Sequence, residues 1–303
     1  MRLLVTGAWQ CTKEQLCELE KMGNEIVFMQ NERDALPLAP ADVEGVICNG
    51  LFLYHKIEEF VNLKYIQLTS AGFDRVPMDY VFEKGIEIHN ARGVYSIPMA
   101  EFAITGVLQL YKQSRFFLKN QENHKWDKHR GLIELFDKNV CIVGCGNVGT
   151  ECAKRFGAFG CSVYGVDLYP RKDENYLEMH GLCDLDVAIA NADVVVLTLP
   201  LTEETKHLFN KERFEKMKNG AVLVNIARGA VVDTSALTEA LENHLGGAVL
   251  DVFEEEPLDE NSPLWDLENV IITPHNSFVG EGNQERLHAI ILKNLIGEAK
   301  SYA

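Results

Sequence analysis

The sequence predicts an α/β chain of two doubly wound parallel-sheet domains, and three observations carry that expectation. Short continuous apolar runs of strand length alternate with helix-compatible polar segments along the whole chain. A strand, a glycine-rich turn and a helix-forming stretch follow one another in Val140–Phe156, VCIVGCGNVGTECAKRF. At 303 residues the chain has room for two medium domains.

From Met1 to about Ser96 the apolar runs are Leu3–Thr6, Ile26–Met29, Val46–Asn49, Tyr65–Thr69 and Ile86–His89. They predict a first, smaller open parallel sheet with helices between the strands. Ligands of such sheets meet the carboxyl ends of the strands, which draws interest to CNGLFLYHK after the third run and TSAGFDRVPMD after the fourth. The turn Ser70-Ala71-Gly72 offers backbone N–H groups to a carboxylate, although glycine is also the ordinary residue of a plain turn. Ser96 then caps a helix with Pro98 in its first turn, and PMAEFAITGVLQLY is apolar on nearly every side, so that helix is expected to be buried, between domains or subunits. Asn120–Asn139 is polar, carries Trp126 and reads as an arm or long loop.

Val140 opens the second domain. Gly144, Gly146 and Gly149 stand at G-x-G-x-x-G spacing. The first glycine permits a tight turn, the second lets backbone approach a pyrophosphate, and the third lets helix and strand pack closely. With Asn147 and Val148 between the last two, the loop presents N–H groups and the positive end of a helix dipole to phosphates. After a turn at Gly157–Gly160, CSVYGVD reads as the next strand and ends in Asp167, 18 residues beyond Gly149. That is close to the roughly 20 expected of the acid that holds the adenosine ribose, and a carboxylate there repels a 2′-phosphate, so the expected cofactor is NAD. Further strand-like runs at Val194–Leu197, Val222–Asn225, Ala248–Val252 and Val270–Thr273 bring the count to six. Gly280–Ala303 reads as one amphipathic helix returning to the first domain. The expected division is therefore 1–98 plus 278–303 for the first domain and 99–277 for an inserted second one.

A net charge of -16, with no dense Lys/Arg block, argues against a nucleic-acid or anionic-membrane binder. The eight cysteines are scattered, with no C-x-x-C pair and no metal-ligand spacing, as expected of a reducing, cytoplasmic compartment. No metal site is expected. Cys145 inside the glycine loop invites a redox role, but no cation stands near it in sequence to activate its thiol. MRLLVTG is too short for a signal peptide, and no apolar run of 18 residues is present.

Several segments in order make the chain resemble the D-isomer-specific 2-hydroxyacid dehydrogenases: VGCGNVG at Val143–Gly149, LPLTEETKHLFN at Leu199–Asn210, VNIARGAVVD at Val224–Asp233, LDVFEEEP at Leu250–Pro257 and TPH at Thr273–His275. SAGFD at Ser70–Asp74 and MAEF at Met99–Phe102 add weaker matches. The resemblance implies a Rossmann NAD-binding domain inserted into a smaller flavodoxin-like substrate domain, a homodimer, and hydride transfer between NAD(H) and C2 of a small D-2-hydroxy acid held between the domains.

It also implies roles residue by residue. Reducing a 2-oxo acid needs a proton donor, a partner that orients the donor, and a cation for the carbonyl and carboxylate. By position in the motifs these are His275, Glu256 and Arg228. A guanidinium grips a carboxylate through two parallel hydrogen bonds, as a lysine does not. Glu256 is the last of three acids, Glu254, Glu255 and Glu256, and is picked out by Pro257. Its carboxylate favours the imidazolium form of His275, so reduction is expected to fade as pH rises and hydroxy-acid oxidation to gain. The motifs further imply cofactor contacts at Leu199, Pro200, Thr205, Ala227, Arg228, Asp251 and His275, with Ser70, Ala71, Gly72 and Arg228 on the substrate. Asn276-Ser277 departs from the Gly-rich pair common after the histidine.

A second class stays open: an NAD(H)-sensing interaction protein, as in corepressors that resemble this family. Formate oxidation is disfavoured, since that branch resembles Gln rather than Glu at position 256. Leu51–Tyr54 suggest an apolar substrate wall, while His55, Lys56 and Arg75 suggest a phosphate, and the residues do not rank the two.

Overall fold

A computed structural model describes residues 1–297, and the chain divides into two compact units. One comprises Met1–Tyr95 and the chain from Gly280 on, the other Ser96–Val279.

The first unit is a five-stranded, wholly parallel sheet of β1 (Arg2–Thr6), β2 (Glu25–Met29), β3 (Gly45–Cys48), β4 (Tyr65–Leu68) and β5 (Glu87–His89), in the order β2-β1-β3-β4-β5. That is the 2-1-3-4-5 doubly wound order. Every residue of β3 and β4 is buried, as expected of parallel strands covered on both faces; β3 is apolar throughout, while β4 carries the buried Gln67, whose Nε2 donates to the Leu68 carbonyl at 2.8 Å and whose Oε1 accepts from the Asn294 side chain at 2.7 Å. Helix α1 (Lys13–Lys21) starts at a capping box in which the Thr12 hydroxyl accepts from the Gln15 N–H and the Gln15 side chain accepts from the Thr12 N–H. Helix α2 (Met78–Lys84) ends at Gly85, whose φ of 63° the missing side chain makes easy.

The second unit opens with α3 (Ser96–Tyr111), in which Ser96 is the first helical residue rather than the cap. Ala103 and Val107 of α3 join the core with Val224 and Val249. Gly106 allows the close approach, since a Cβ there would lie 2.5 Å from Cγ1 of Val249. Part of the stretch expected as an arm is helical, α4 (Ser114–Glu122), and the chain beyond it to Lys138 has no regular structure. Then come β6 (Asn139–Val143), α5 (Asn147–Ala158), β7 (Ser162–Val166), β8 (Glu178–His180), α6 (Leu185–Ala190), β9 (Val194–Leu197), α7 (Lys211–Lys216), β10 (Val222–Asn225), α8 (Thr234–Asn243), β11 (Gly247–Leu250) and β12 (Val270–Ile272).

Seven parallel strands form this sheet, in the order β12-β11-β10-β9-β6-β7-β8. Counted from β6 the order is 3-2-1-4-5-6 with a seventh strand added, and it reverses where β6 pairs with β9. Six strands were expected. The extra one, β8, is three residues at the sheet edge, Glu-Met-His, with no apolar run to announce it. Gly157 lies inside α5 rather than in the turn, which is closed by Gly160 at φ 79°. Helix α9 (Asn283–Leu295) belongs to the first unit and buries Leu287 and Ile291 with Leu3, Val5 and Trp9. It starts three residues later than expected, and the expected end at Ala303 lies outside the described residues.

Candidate active site

In the second unit the loops that leave the carboxyl ends of β6, β7, β9, β10 and β11 carry most of the expected residues, and each glycine of the first loop meets a different constraint. Gly144 has φ 97°, and a Cβ there would lie 2.6 Å from the Leu199 nitrogen. Gly149 packs so tightly that a Cβ would lie 2.2 Å from the Gly144 carbonyl oxygen. Around Gly146, the N-cap of α5, a Cβ would meet nothing within 4 Å. The backbone between Gly146, Asn147 and Val148 therefore presents an open helix N-terminus, the geometry that suits a phosphate. Thr198, which the sequence did not single out, fastens this loop to β9, its hydroxyl donating to the Gly144 carbonyl at 2.5 Å.

Asp167 follows β7, and its two oxygens accept from the Cys145 N–H at 2.7 Å and the Tyr169 N–H at 3.0 Å. A carboxylate oxygen has room for a second hydrogen bond, so the group stays able to receive a ribose hydroxyl. Arg171 bonds the Cys145 carbonyl at 2.7 Å from the other side, so the middle of the glycine turn is held by both an acid and a cation. The Cys145 thiol is fully buried, and burial pushes its pKa up to about 12. It is a filler of the turn with no thiolate to oxidise at neutral pH.

The expected cofactor contacts on β9 and β10 are partly spent on their own loops. Leu199 is buried and Pro200 exposed. The Thr205 hydroxyl donates to the Pro200 carbonyl at 2.8 Å and accepts from the Thr202 N–H at 2.7 Å, stapling the loop. Ala227 is buried, and its N–H donates to Oδ1 of the fully buried Asn225, whose Nδ2 donates to the Arg228 carbonyl. Asn225 thus fixes the backbone that presents Arg228, a second support the apolar-run pattern hid. Arg228 is half-buried, with Nη1 donating to the Ala227 carbonyl at 2.7 Å. At Gly229 a Cβ would lie 1.8 Å from the Phe253 carbonyl carbon, so the β10 and β11 loops touch backbone to backbone.

The β11 and β12 loops bring Glu256 and His275 together. His275 Nδ1 lies 2.8 Å from Oε2 of Glu256, and Glu256 Oε1 accepts from the Phe253 N–H at 3.1 Å. Both side chains are exposed. A carboxylate on Nδ1 assigns that nitrogen its proton and leaves Nε2 to give or take one. Phe278 stands edge-on to the imidazole, ring centroids 6.1 Å apart. His275 sits at φ 51°, a left-handed conformation uncommon outside glycine, and the fully buried Asp251 holds it there. The Asp251 carbonyl accepts from the His275 N–H at 2.8 Å, while its carboxylate accepts from the Thr273 hydroxyl and the Asn276 and Ser277 N–H groups at 2.7, 2.7 and 2.9 Å. Asp251, one of the expected cofactor contacts, also supports the loop bearing His275 through its carboxylate.

Residues 104–277 match the family described as D-isomer specific 2-hydroxyacid dehydrogenase, NAD binding domain. The chain belongs to the D-isomer specific 2-hydroxyacid dehydrogenases. It is 37% identical over 271 residues to the glyoxylate reductase of Thermofilum pendens, covering 86% of this chain and 79% of that protein. It is 35% identical to the D-3-phosphoglycerate dehydrogenase of Archaeoglobus fulgidus over 80% of this chain, but spans only 47% of that protein. The crystal structure of D-lactate dehydrogenase from Aquifex aeolicus, complexed with NAD and lactic acid, superposes with a TM-score of 0.77 at 25% identity, covering 98% of this chain and 96% of that one. This dehydrogenase is accordingly an NAD-linked oxidoreductase of 2-hydroxy and 2-oxo acids.

The remaining expected residues lie in the first unit. Around Ser70–Gly72 the carbonyl oxygens are engaged: Ser70 O by the Ala91 N–H, Ala71 O by the Asn90 side chain at 2.6 Å, and Gly72 O by the Ser70 hydroxyl at 3.1 Å. None of these bonds uses the N–H of Ala71 or Gly72. The neighbouring β3 loop is held by Glu32, whose carboxylate accepts from the Asn49 and Gly50 N–H groups, both at 2.7 Å. Among the described residues no cluster of His, Cys, Asp and Glu is arranged to hold a metal ion, and no helix is long and apolar enough to cross a membrane.

Proposed function

We propose that this dehydrogenase transfers hydride between NAD(H) and C2 of a small D-2-hydroxy acid, with His275 as general acid/base, Glu256 as its orienting partner and Arg228 as the substrate clamp. The observation that carries the proposal is the 2.8 Å bond from Glu256 to His275 Nδ1, on a loop adjoining the one that bears Arg228. NAD(H), when bound, would supply the hydride to C2 in reduction and accept it in oxidation. The residues supply the rest. Glu256 keeps the proton on Nδ1, so Nε2 of His275 gives its proton to the developing alkoxide in reduction and takes it back in oxidation. Arg228 neutralises the substrate carboxylate and polarises the 2-oxo group, lowering the barrier where negative charge develops.

The assigned cofactor contacts follow the same support. Gly144, Gly146, Asn147, Val148 and Gly149 would hold the pyrophosphate, Asp167 the adenosine ribose, and Leu199, Pro200, Thr205, Ala227 and Asp251 would shape the nicotinamide side. Ser70, Ala71 and Gly72 would receive the substrate carboxylate through their N–H groups. In this scheme residues 99–277 form the NAD domain and 1–98 plus 278–303 the substrate domain. A homodimer is proposed because the α4 region exposes apolar side chains that a second copy would cover: Phe117, Leu118, Trp126 (94% exposed), Leu132, Ile133 and Phe136. A cytoplasmic setting is proposed on the eight free cysteines.

The test is loss of NADH absorbance with glyoxylate, hydroxypyruvate, pyruvate, branched 2-oxo acids and phosphohydroxypyruvate. Turnover with at least one of the unphosphorylated acids supports the proposal, and NADH binding with no turnover on any of them overturns it.

A further inference from the structure

Of the three consecutive acids after Phe253, two hold a histidine, and only one of those pairs enters the proposed chemistry. Glu254 Oε1 lies 2.5 Å from Nε2 of His207, and its Oε2 accepts from the Thr234 N–H at 2.8 Å. His207 comes from the loop after β9, Thr234 opens α8 after β10, and Glu254 belongs to the loop after β11. One carboxylate therefore cross-links three loops whose residues are 47 and 20 positions apart. His207, like His275, sits at positive φ, 47°, and its N–H is tied to the Ala230 carbonyl at 2.8 Å, beside Gly229.

The turn that Glu254 pins is the one that presents Glu256. Gly229 presses on the Phe253-Glu254 peptide itself, and the Phe253 N–H bonds Glu256 at 3.1 Å. Burial alone would raise the Glu254 pKa, but the Thr234 bonds and then His207 outweigh it and hold the carboxyl below the usual range. The group is ionised at neutral pH, so its bonds are charge-assisted.

We infer that Glu254 is a positioning residue: its bonds to His207 and the Thr234 N–H fix the Phe253–Glu256 turn so that Glu256 meets His275. The inference rests on the catalytic roles proposed for Glu256 and His275. A displacement of about 1 Å at a reacting group costs up to ~10²-fold in rate, so a pinned turn has a kinetic consequence even though Glu254 has no part in the proposed proton transfer.

The experiment is a double-mutant cycle on kcat, with NADH affinity and thermal melting measured alongside. Glu254→Ala is expected to lower kcat about tenfold while the Kd for NADH stays within about twofold, as befits lost positioning rather than lost binding. Glu254→Gln, which keeps an acceptor for the Thr234 N–H, is expected to recover most of that loss. The double variant Glu254→Ala/Glu256→Gln is expected to be no slower than Glu256→Gln alone, because the two acids act in series. Losses that multiply, or a wild-type kcat in Glu254→Ala, overturn the inference while leaving His275 and Glu256 in place. A wild-type kcat in Glu256→Gln overturns the catalytic assignment itself and this inference with it. Should Glu254→Ala fail to fold, His207→Asn replaces it in the same cycle, removing the imidazole and sparing the Thr234 bond.

Discussion

Asp251 holds His275 in place from two directions, its carbonyl accepting from the His275 N–H at 2.8 Å and its carboxylate accepting from the N–H groups of the next two residues. A left-handed histidine needs such support, since the conformation costs of order 1 kcal/mol or more outside glycine. Asp251→Ala leaves the two N–H groups and the Thr273 hydroxyl without their acceptor. We expect a stability loss of about 3 kcal/mol, read from urea unfolding midpoints. We also expect kcat to fall further than the same loss of stability produces when placed elsewhere in the core, and equal losses would contradict the positioning role.

Gly229→Ala tests the contact between the β10 and β11 loops. The added methyl has no space beside the Phe253 carbonyl carbon, so one loop must move. Overpacking of this kind costs about 1–3 kcal/mol. Because the displaced loops carry Arg228 on one side and Glu256 on the other, the KM for the 2-oxo acid is expected to rise as well, and an unchanged KM would show that the contact is structural only.

Arg228→Lys keeps the charge and loses the fork. If the clamp is bidentate, kcat/KM for the 2-oxo acid falls by roughly 10- to 100-fold, a loss of 1–3 kcal/mol, while the Kd for NADH changes little. A near-wild-type lysine variant would mean that Arg228 supplies charge alone.

Asp193 is one of the acids that contribute to acid stability. Its carboxylate, 15% exposed, accepts from the Asn139 N–H at 2.9 Å and pairs with Lys218 at 2.7 Å, tying the amino ends of β6 and β9 together. Burial opposes ionisation, but the Lys218 and Asn139 bonds outweigh it and hold the pKa below its ordinary value. A depressed acid stabilises the fold fully above its unfolded value, and that stability is lost as pH falls through the folded value. Asp193→Asn is therefore expected to cost about 1–2 kcal/mol at pH 7, with the difference shrinking below about pH 4. A difference independent of pH would contradict this.

The core strands were legible because strands covered on both faces are mostly apolar, as in Val194–Leu197. The edge strand Glu178–His180 obeys no such demand, and Ser114–Glu122 is a helix with no buried residue, so neither left an apolar pattern to read. The same distinction runs through the candidate site. Arg228, Glu256 and His275 stand inside recognisable motifs. Their supports do not: Asn225 reads as the end of a strand, Thr198 as a residue past one, and Glu254 as part of an acidic run. Two of them acquire their partners only through folding, Thr198 at Gly144 and Glu254 at His207, and a contact across 54 or 47 residues has no local signature. Asp251 stands in a recognisable motif, but nothing in its own sequence shows that the following loop turns back onto its carboxylate.

The central claim is that His275 moves the proton. Its most direct test is kcat for NADH-dependent reduction of the best 2-oxo acid by wild type and His275→Gln, with the Kd for NADH measured on both. A loss of at least about 10²-fold in kcat with Kd unchanged is the predicted result. A glutamine variant within a few-fold of wild type would contradict it.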